Sequence, residues 1–181
     1  MKITMIFNLI ITTFKHGEDD AINEIFAVLK KFGDSRPQIF KTQIPGIVLG
    51  YTRLDPASVI TKLKSLINTD PWEVRYILRV IPVEHVTSTE LRLISLVVKS
   101  LALKIRDNET FRITIEKRHS RVRSNEVITA IAEEIACNRV DLKKPDWIIL
   151  VEIVGQFTGI SVIRPSQLFS SIIEKRNMAI L

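Results

Sequence analysis

The sequence predicts an α+β protein of two domains, which we place at residues 1–82 and 83–181. One observation is the alternation of short β-branched stretches with segments whose apolar residues recur every three or four positions. These two periods are typical of strands and helices. Another is the order of the segments, which differs between the two halves of the chain. The length of 181 residues and the 46% hydrophobic content are enough for two small cores.

The first half is predicted to contain strands and helices in the order β-α-β-β-α-β. Gly17 and the acids after it begin the first helix, which ends at Gly33. Asp55-Pro56 begins the second helix, because Asp is a good N-cap and proline suits the first helical position. This order is the split βαβ pattern, so we predict a ferredoxin-like domain for residues 1–82. Its strands are predicted at residues 5–13, 37–43, 46–53 and 73–81.

The second half is predicted to follow the order α-β-α-β-β, with a terminal helix after it. Its first helix follows a capping box, TSTE, at residues 87–90. Residues 111–116 alternate between apolar and polar side chains, which is typical of a half-buried strand. Residues 147–154, WIILVEIV, are almost entirely apolar and predict a central strand. We expect a closing strand at 160–163 and a last helix at 168–175.

A basic turn joins the strand at 111–116 to the helix that follows it. Because Ser124 is a suitable N-cap and Glu126 lies in the first turn, we predict that the helix begins there. Free N–H groups and the positive end of the helix dipole would then lie beside the basic side chains, which predicts a phosphate site. The alternative is a solvated loop whose charges pair with Glu116 and Glu126. The predicted phosphate ligands are Lys117, Arg118, Arg121, Arg123 and Ser124.

Three further cations are candidates for the same RNA-binding surface. Lys143 and Lys144 precede the central strand, and Arg164 follows the closing strand; for each, an ordinary solvated side chain is the alternative. The net charge of +6 at pH 7 agrees with an anionic partner. Few aromatic residues lie near the basic turn, which favours recognition of structured RNA by its backbone and shape over stacking of single strands. Composition alone also allows DNA.

The sequence lacks the usual motifs of an enzyme. Its six glycines form neither a dinucleotide-binding motif nor a P-loop, and its three histidines have no triad signature. Cys137 is the single cysteine, which we interpret as a small buried hydrophobe. We therefore expect no catalytic residue, no metal and no cofactor. Since no stretch approaches the roughly 18 apolar residues of a membrane helix, we expect a cytoplasmic protein with no membrane partner.

Several short motifs together resemble a known family. They are Phe111-Arg112-Ile113, Lys117-Arg118, SNEVI at 124–128, Val140-Asp141-Leu142, Pro145-Asp146, Val151-Glu152-Ile153 and GISV at 159–162. This set resembles the THUMP domain, an RNA-binding module of tRNA-modification proteins. RYILRVIP at 75–82 is similar to the segment that leads into THUMP in the stand-alone tRNA acetylation adaptors of this family. The similarity covers about residues 75–164.

The resemblance implies a function. Such adaptors bind tRNA and help a separate RNA cytidine acetyltransferase to make N4-acetylcytidine. In other members, THUMP and a preceding ferredoxin-like domain grip the tRNA acceptor stem and its 3′ end, while an attached catalytic domain performs the chemistry. We expect no attached catalytic domain here, and hence a tRNA-binding adaptor. The alternatives are a self-sufficient RNA-modifying enzyme and a protein–protein module whose basic loop meets an acidic partner.

Overall fold

The computed structural model describes residues 6–135 and 139–178, which include elements of two compact units. Cys137 lies outside the described residues. One unit comprises Met1–Val83 and Ser166–Leu181, and the other comprises Glu84–Pro165. In chain order the elements are β1 (Leu9–Thr12), α1 (Glu18–Lys31), β2 (Gln38–Lys41), β3 (Ile47–Tyr51), α2 (Pro56–Thr69), β4 (Arg79–Pro82), β5 (His85–Ser88), α3 (Leu91–Ala102), β6 (Thr110–Arg118), α4 (Ser124–Glu134), β7 (Arg139–Val140), β8 (Trp147–Val154), β9 (Phe157–Ile163), β10 (Phe169–Ser170) and α5 (Ser171–Met178).

The first unit is an antiparallel sheet with strands in the order β10-β4-β1-β3-β2. β1 is the central strand, and its Leu9 lies opposite Gly50 on one side and Pro82 on the other. One face of the sheet joins α1 and α2 in a single apolar cluster, which includes Leu9, Ile25 and Leu63. Each such side chain contributes about 1.5–3 kcal/mol when it is fully buried. The observed order of elements, β-α-β-β-α-β, agrees with the prediction from the sequence.

Local chemistry explains where the elements of this unit begin and turn. Asp55 caps α2 as predicted, because its carboxylate accepts the Ser58 N–H at 2.8 Å and Pro56 occupies the first turn. Gly46 has a φ of +77°, and a Cβ at this position would lie 2.9 Å from the carbonyl oxygen of Thr13. Only glycine meets both conditions, so the turn between β2 and β3 depends on it.

Two segments of this unit differ from the prediction. The strand expected at 73–81 is reduced to β4, because Asp70 caps a short 3₁₀ turn at Pro71–Glu73 and the chain after it forms a loop. The sequence also assigned the last helix to the second domain, whereas residues 166–181 group with the first unit. Phe169 explains this grouping, since it pairs with Val80 of β4 and lies in the apolar cluster of the first unit.

The second unit is a mixed sheet with strands in the order β5-β9-β8-β6-β7. β8 is central as predicted, and it runs parallel to β6 and antiparallel to β9. α3 and α4 share an apolar cluster with alternate residues of β8, including Ile149, Val151 and Ile153. None of the helices within the described ranges has the length and apolarity that crossing a membrane requires.

One helix boundary, at the start of this unit, differs from the prediction. The predicted capping box at 87–90 is wrong, because α3 begins at Leu91 with Glu90 at the N-cap position. The preceding residues form β5, in which His85 lies opposite Ile160 and Ser88 lies opposite Phe157. Strand pairing therefore overrides the local capping preference of this segment.

Candidate nucleic-acid interface

The basic turn between β6 and α4 is held by hydrogen bonds to its own backbone. The carbonyl oxygen of Arg118 accepts the Gly155 N–H at 3.0 Å, and the Lys117 ammonium donates to the Val122 carbonyl at 3.0 Å. Ser120 accepts the Val122 N–H at 3.3 Å. His119 has a φ of +53°, a left-handed conformation in which His is enriched, and this residue reverses the chain after the strand. The turn is therefore a braced support for the side chains around it.

Three predicted phosphate ligands are exposed on this turn: Lys117, Arg121 and Arg123. Within residues 6–135 and 139–178, none of the ion pairs involves these three side chains. Their charges are therefore not neutralised by a neighbouring carboxylate, so the predicted pairing with Glu116 or Glu126 is not what the structure shows. Clustered charges of one sign on a rigid support attract anions and concentrate them locally.

Arg118 differs from these three cations because it forms an ion pair. Its guanidinium donates to the Glu152 carboxylate at 2.8 Å, and the Glu152 side chain is only 1% exposed. The strand register explains the contact, since Glu152 lies opposite Glu116 and Arg118 lies two residues further along the same face of β6. Glu152 was the one charged residue of the apolar β8 sequence, and Arg118 is its partner. Arg118 thus links the basic turn to the centre of the sheet.

The helix N-terminus corrects the prediction that Ser124 is the N-cap. Arg123 occupies the N-cap position in an extended conformation, and Ser124 is the first helical residue. The Glu126 carboxylate accepts the Arg123 N–H at 3.3 Å. A carboxylate of the protein therefore lies at the positive end of the helix dipole, where it competes with an external anion. The positive charge that the turn exposes therefore comes from its side-chain cations more than from the helix terminus.

Lys143 and Lys144 lie in the loop between β7 and β8. Their backbone N–H groups donate to the Asp141 carboxylate at 2.8 Å and 3.0 Å. These two bonds, that of Lys144 first, hold the pKa of Asp141 below its usual value. Both ammonium groups are exposed, and neither forms an ion pair in the part of the chain that the structure describes. Asp141 therefore shapes the loop through its backbone bonds, and both ammonium groups remain exposed.

Arg164 is part of a connected polar cluster. Its guanidinium pairs with the Glu109 carboxylate and lies 3.9 Å from the centre of the Trp147 ring. Trp147 donates its indole N–H to the other oxygen of Glu109 at 2.8 Å. The pKa of Glu109 is lowered to about 2, first by a hydrogen bond with the backbone of Arg106, then by Arg164 and Trp147. Arg164 is consequently fixed in place by a carboxylate and an aromatic ring.

The register of β8 shows that the predicted ligands form two groups. Arg118 lies opposite Val154 at one end of β8, whereas Ile163, which precedes Arg164, lies opposite Ile148 at the other end. Lys143 and Lys144 also precede the start of β8. Six residues of strand separate these ends, which corresponds to about 20 Å. The structure therefore does not gather all the predicted cations at one point.

Sequence reasoning missed an exposed aromatic loop in the first unit. Trp72 is 72% exposed and Tyr76 is 40% exposed, both beside the exposed Arg75. The predicted strand at 73–81 placed Tyr76 on the same strand face as Val74, which is fully buried. The signal that could have revealed the loop is Asp70-Pro71, since a capping Asp before Pro begins a turn as well as it ends a helix.

The comparison with family models identifies part of the second unit. The model described as the THUMP domain matches residues 91–163, so this segment is similar to that domain. The resemblance inferred from the sequence motifs is confirmed at this level. No curated protein matches the chain.

Solved structures resemble the chain across both units. PH1313 from Pyrococcus horikoshii Ot3 is 19% identical with a TM-score of 0.66, over 88% of this chain and 55% of that one. TrmN from Thermus thermophilus is 15% identical with a TM-score of 0.54, over 87% and 46%. A 4-thiouridine synthetase in an RNA complex with bound ATP is 15% identical with a TM-score of 0.51, over 88% and 42%. At these identities the likeness shows a shared fold, and the chain spans about half the length of these proteins.

Proposed function

We propose that this chain is a tRNA-binding protein of tRNA modification, which presents tRNA to a separate enzyme and has no catalytic role of its own. The observation that carries the proposal is the set of exposed cations on the braced turn of a THUMP domain: Lys117, Arg121 and Arg123. Because the backbone of the turn is already fixed, only the side chains lose conformational entropy when these cations bind the phosphate backbone. The RNA in the complex of the 4-thiouridine synthetase supports RNA as the ligand class.

The other predicted ligands have distinct roles in this proposal. Arg118 holds the turn on the sheet through Glu152, and Ser124 offers a hydroxyl to the phosphate that the three cations bind. Lys143, Lys144 and Arg164 form a second patch, about 20 Å away along the sheet. Two separated patches suit an extended duplex, because phosphate contacts set the orientation of a helix and its shape supplies specificity.

The finer assignments rest on the resemblance of the sequence motifs. The first unit is a ferredoxin-like domain, which its strand order β4-β1-β3-β2 and its two helices support. The RNA ligand is the acceptor stem and 3′ end of tRNA. The enzyme served is an RNA cytidine acetyltransferase that makes N4-acetylcytidine, and the adaptor needs no cofactor.

The salt dependence of tRNA binding tests the phosphate contacts. Reversing the charge of the turn with Lys117→Glu, Arg121→Glu and Arg123→Glu should weaken tRNA binding broadly across tRNA sequences. Each lost phosphate contact should lower the slope of log K against log salt by about 0.7 to 0.9. A filter-binding titration of the triple variant over a range of salt concentrations measures both effects.

A control for a single charge reversal is Lys30→Glu on α1. Lys30 is exposed, and its ammonium lies 5.6 Å from the centre of the Phe26 ring, so its reversal changes net charge at a site outside the proposed surface. Equal affinities and slopes for the wild type and the triple variant would reject the turn as the binding site. The adaptor role is tested by adding the chain to a cytidine acetyltransferase, tRNA and acetyl donor, and measuring N4-acetylcytidine by mass spectrometry. A product made by the chain without the enzyme would reject the non-catalytic role.

A further inference from the structure

A groove of about 380 Å³ lies between α1 and the loop that precedes β4 in the first unit. Trp72, Arg75 and Tyr76 line its loop side, and Asp20, Asn23 and Ala27 are among the residues that line its helix side. Small-molecule sites begin at about 300 Å³, so the groove suits a ligand the size of a nucleotide. A Trp that is 72% exposed beside a half-exposed Tyr is unusual on a protein surface, where large apolar side chains mark binding sites when they cluster.

The loop is held in this conformation by a carboxylate of α1. Glu24 accepts the backbone N–H groups of Arg75, Tyr76 and Ile77 at 2.8 to 3.2 Å. Ile77 is fully buried, as is Val74, and these two residues fasten the loop to the core. The exposed side chains therefore have a preorganised backbone, which reduces the entropy that a ligand must overcome on binding.

The charges in the groove leave a cation beside the aromatic rings. The Arg75 Nε donates to the Trp72 carbonyl at 2.8 Å, and its guanidinium lies 6.0 Å from the centre of the Trp72 ring. Glu73 pairs with Lys31 at 2.8 Å, whereas the carboxylate of Glu24 accepts three backbone N–H groups and keeps its charge, directed at the backbone of the loop. Asp20 is the remaining acid of the groove lining. In the part of the chain that the structure describes, Arg75 forms no ion pair.

We propose that this loop stacks an unpaired nucleotide of RNA, with its base on the rings of Trp72 and Tyr76 and its phosphate at Arg75. The inference rests on the proposed function, since it assigns a second and chemically different contact to the same RNA ligand. Aromatic rings bind bases of any sequence through their π faces, and Arg adds both stacking and charge. The Asn23 amide, at the groove wall, can donate to and accept from the edge of a stacked base.

This occupant is favoured over a peptide because exposed rings lie beside a guanidinium that, within residues 6–135 and 139–178, forms no ion pair. A stacked base needs exposed aromatic surface, and Trp72 is 72% exposed. A phosphate needs a cation within reach of that face, which Arg75 provides. The turn after β6 supplies cations without aromatic residues, so the two sites select different parts of an RNA: paired backbone there, and unpaired bases here.

Binding of a short unpaired RNA tests the inference. Trp72→Ala should weaken the affinity of the full chain for a five-nucleotide unpaired RNA of mixed sequence by about 5- to 150-fold, the loss expected for one stacked base. Its affinity for a blunt RNA duplex should change by less than about twofold. Trp72→Phe keeps a stacking face and should retain most of the affinity for the unpaired RNA. Because Trp72 is largely exposed, none of these changes should unfold the protein.

Tryptophan fluorescence gives an independent measurement. The chain has two tryptophans, and Trp147 is covered by Arg164 and bonded to Glu109. Stacking should therefore quench the emission of Trp72, and the quench on adding the unpaired RNA should disappear in Trp72→Ala. Leu103→Ala removes an 84% exposed apolar side chain from the second unit and is the matched control, for which quench and affinity should both equal those of the wild type.

The outcomes separate this inference from the proposed function. If the wild type binds tRNA but Trp72→Ala binds the unpaired RNA as tightly as the wild type does, the stacking site is rejected and tRNA binding stands. If Trp72→Ala loses recruitment of the modifying enzyme without losing RNA affinity, the loop docks a protein and the inference is again rejected. If the wild type binds the unpaired RNA but not tRNA at low salt, the proposed function is rejected and the stacking site stands.

Discussion

The basic turn after β6 and the aromatic loop before β4 are both held by a glutamate from a neighbouring element, yet they expose different side chains. The turn exposes cations, whereas the loop exposes aromatic rings beside one cation. Glu152 holds the turn through a guanidinium, so Arg118 is bound to the protein and the exposed charge comes from Lys117, Arg121 and Arg123. Glu24 holds the loop through backbone N–H groups, so the side chains of Trp72, Arg75 and Tyr76 stay exposed. A side-chain cation that binds a structural carboxylate is held by the protein. Where backbone N–H groups bind the carboxylate instead, the neighbouring side chains remain exposed to a ligand.

The cations predicted from the sequence also fall into two groups, those that pair with a carboxylate of the protein and those that are exposed. Arg118 and Arg164 pair with carboxylates, whereas Lys143 and Arg121, among others, form no ion pair in the described ranges of the chain. A count of basic residues therefore overstates the charge that is available to RNA. Substitutions of the paired cations should mainly change the free energy of unfolding, and substitutions of the exposed ones should mainly change RNA affinity.

The largest effect is expected for Arg118→Met. This change removes the Arg118 guanidinium from the carboxylate of Glu152, whose side chain is only 1% exposed. Breaking a buried pair from one side costs about 3 to 5 kcal/mol, and we expect the lower end because the Arg118 side chain is 23% exposed. Urea unfolding followed by circular dichroism measures the loss in the free energy of unfolding.

Two variants sharpen this prediction. Arg121→Met removes the same charge from an exposed position and should change the free energy of unfolding by less than about 0.5 kcal/mol. The double variant Arg118→Met with Glu152→Leu removes both charges and should recover much of the stability that Arg118→Met loses. Equal stability of Arg118→Met and Arg121→Met would contradict the idea that Arg118 has a structural role.

A smaller effect is expected for Glu24→Ala in the first unit. Its carboxylate accepts three backbone N–H groups, but these groups are partly exposed and water can replace the lost bonds. We expect a loss of about 1.5 kcal/mol in the free energy of unfolding. Glu24→Gln keeps an acceptor oxygen and should lose less. A loop that no longer holds Trp72 in place should also bind the unpaired RNA more weakly, which fluorescence titration checks.

Much of the fold was predictable because local signals agreed with the tertiary structure. Asp55-Pro56 starts α2, and the apolar sequence of residues 147–154 forms the central strand β8. The strand β5 was missed because the TSTE sequence at 87–90 fits a helix cap equally well, and only pairing with β9 decides between the two. In a short strand, the alternation of apolar and polar side chains covers too few residues to be a stronger signal than a capping motif.

The candidate site was predictable only in part. The cations of the basic turn were identifiable from their density along the chain, and three of them are exposed. The pairing of Arg118 with Glu152 depends on the register of two parallel strands that are 34 residues apart, which a single sequence does not fix. The same holds for Arg164, whose partner Glu109 is 55 residues away.

Replacing Arg164 tests whether the second patch is structural or functional. Arg164→Ala removes a guanidinium that pairs with Glu109 and covers the Trp147 ring at 3.9 Å. A partly exposed pair and a cation–π contact each contribute about 0.5 to 1 kcal/mol, so we expect a loss of about 1 kcal/mol in the free energy of unfolding. The tRNA affinity of this variant should fall less than that of Arg121→Ala. A larger loss of affinity for Arg164→Ala would make the second patch the main contact.

The smallest effect is a pH dependence centred on Glu109. Its pKa in the folded protein is about 2, against 4.5 for the unperturbed carboxyl, chiefly because of the backbone of Arg106, then Arg164 and Trp147. A depressed pKa stabilises the folded state at pH values above about 4.5, and this contribution should be lost progressively as the pH falls from about 4.5 to 2. The difference in unfolding midpoint between the wild type and Glu109→Gln should therefore be largest at neutral pH and shrink across this interval. Glu133→Gln, which removes a charge from an exposed position of α4, controls for net charge. A difference that stays constant from pH 7 to pH 2 would mean that the Glu109 cluster acts through packing and not through its charge, and would place Arg164 among the cations available to RNA.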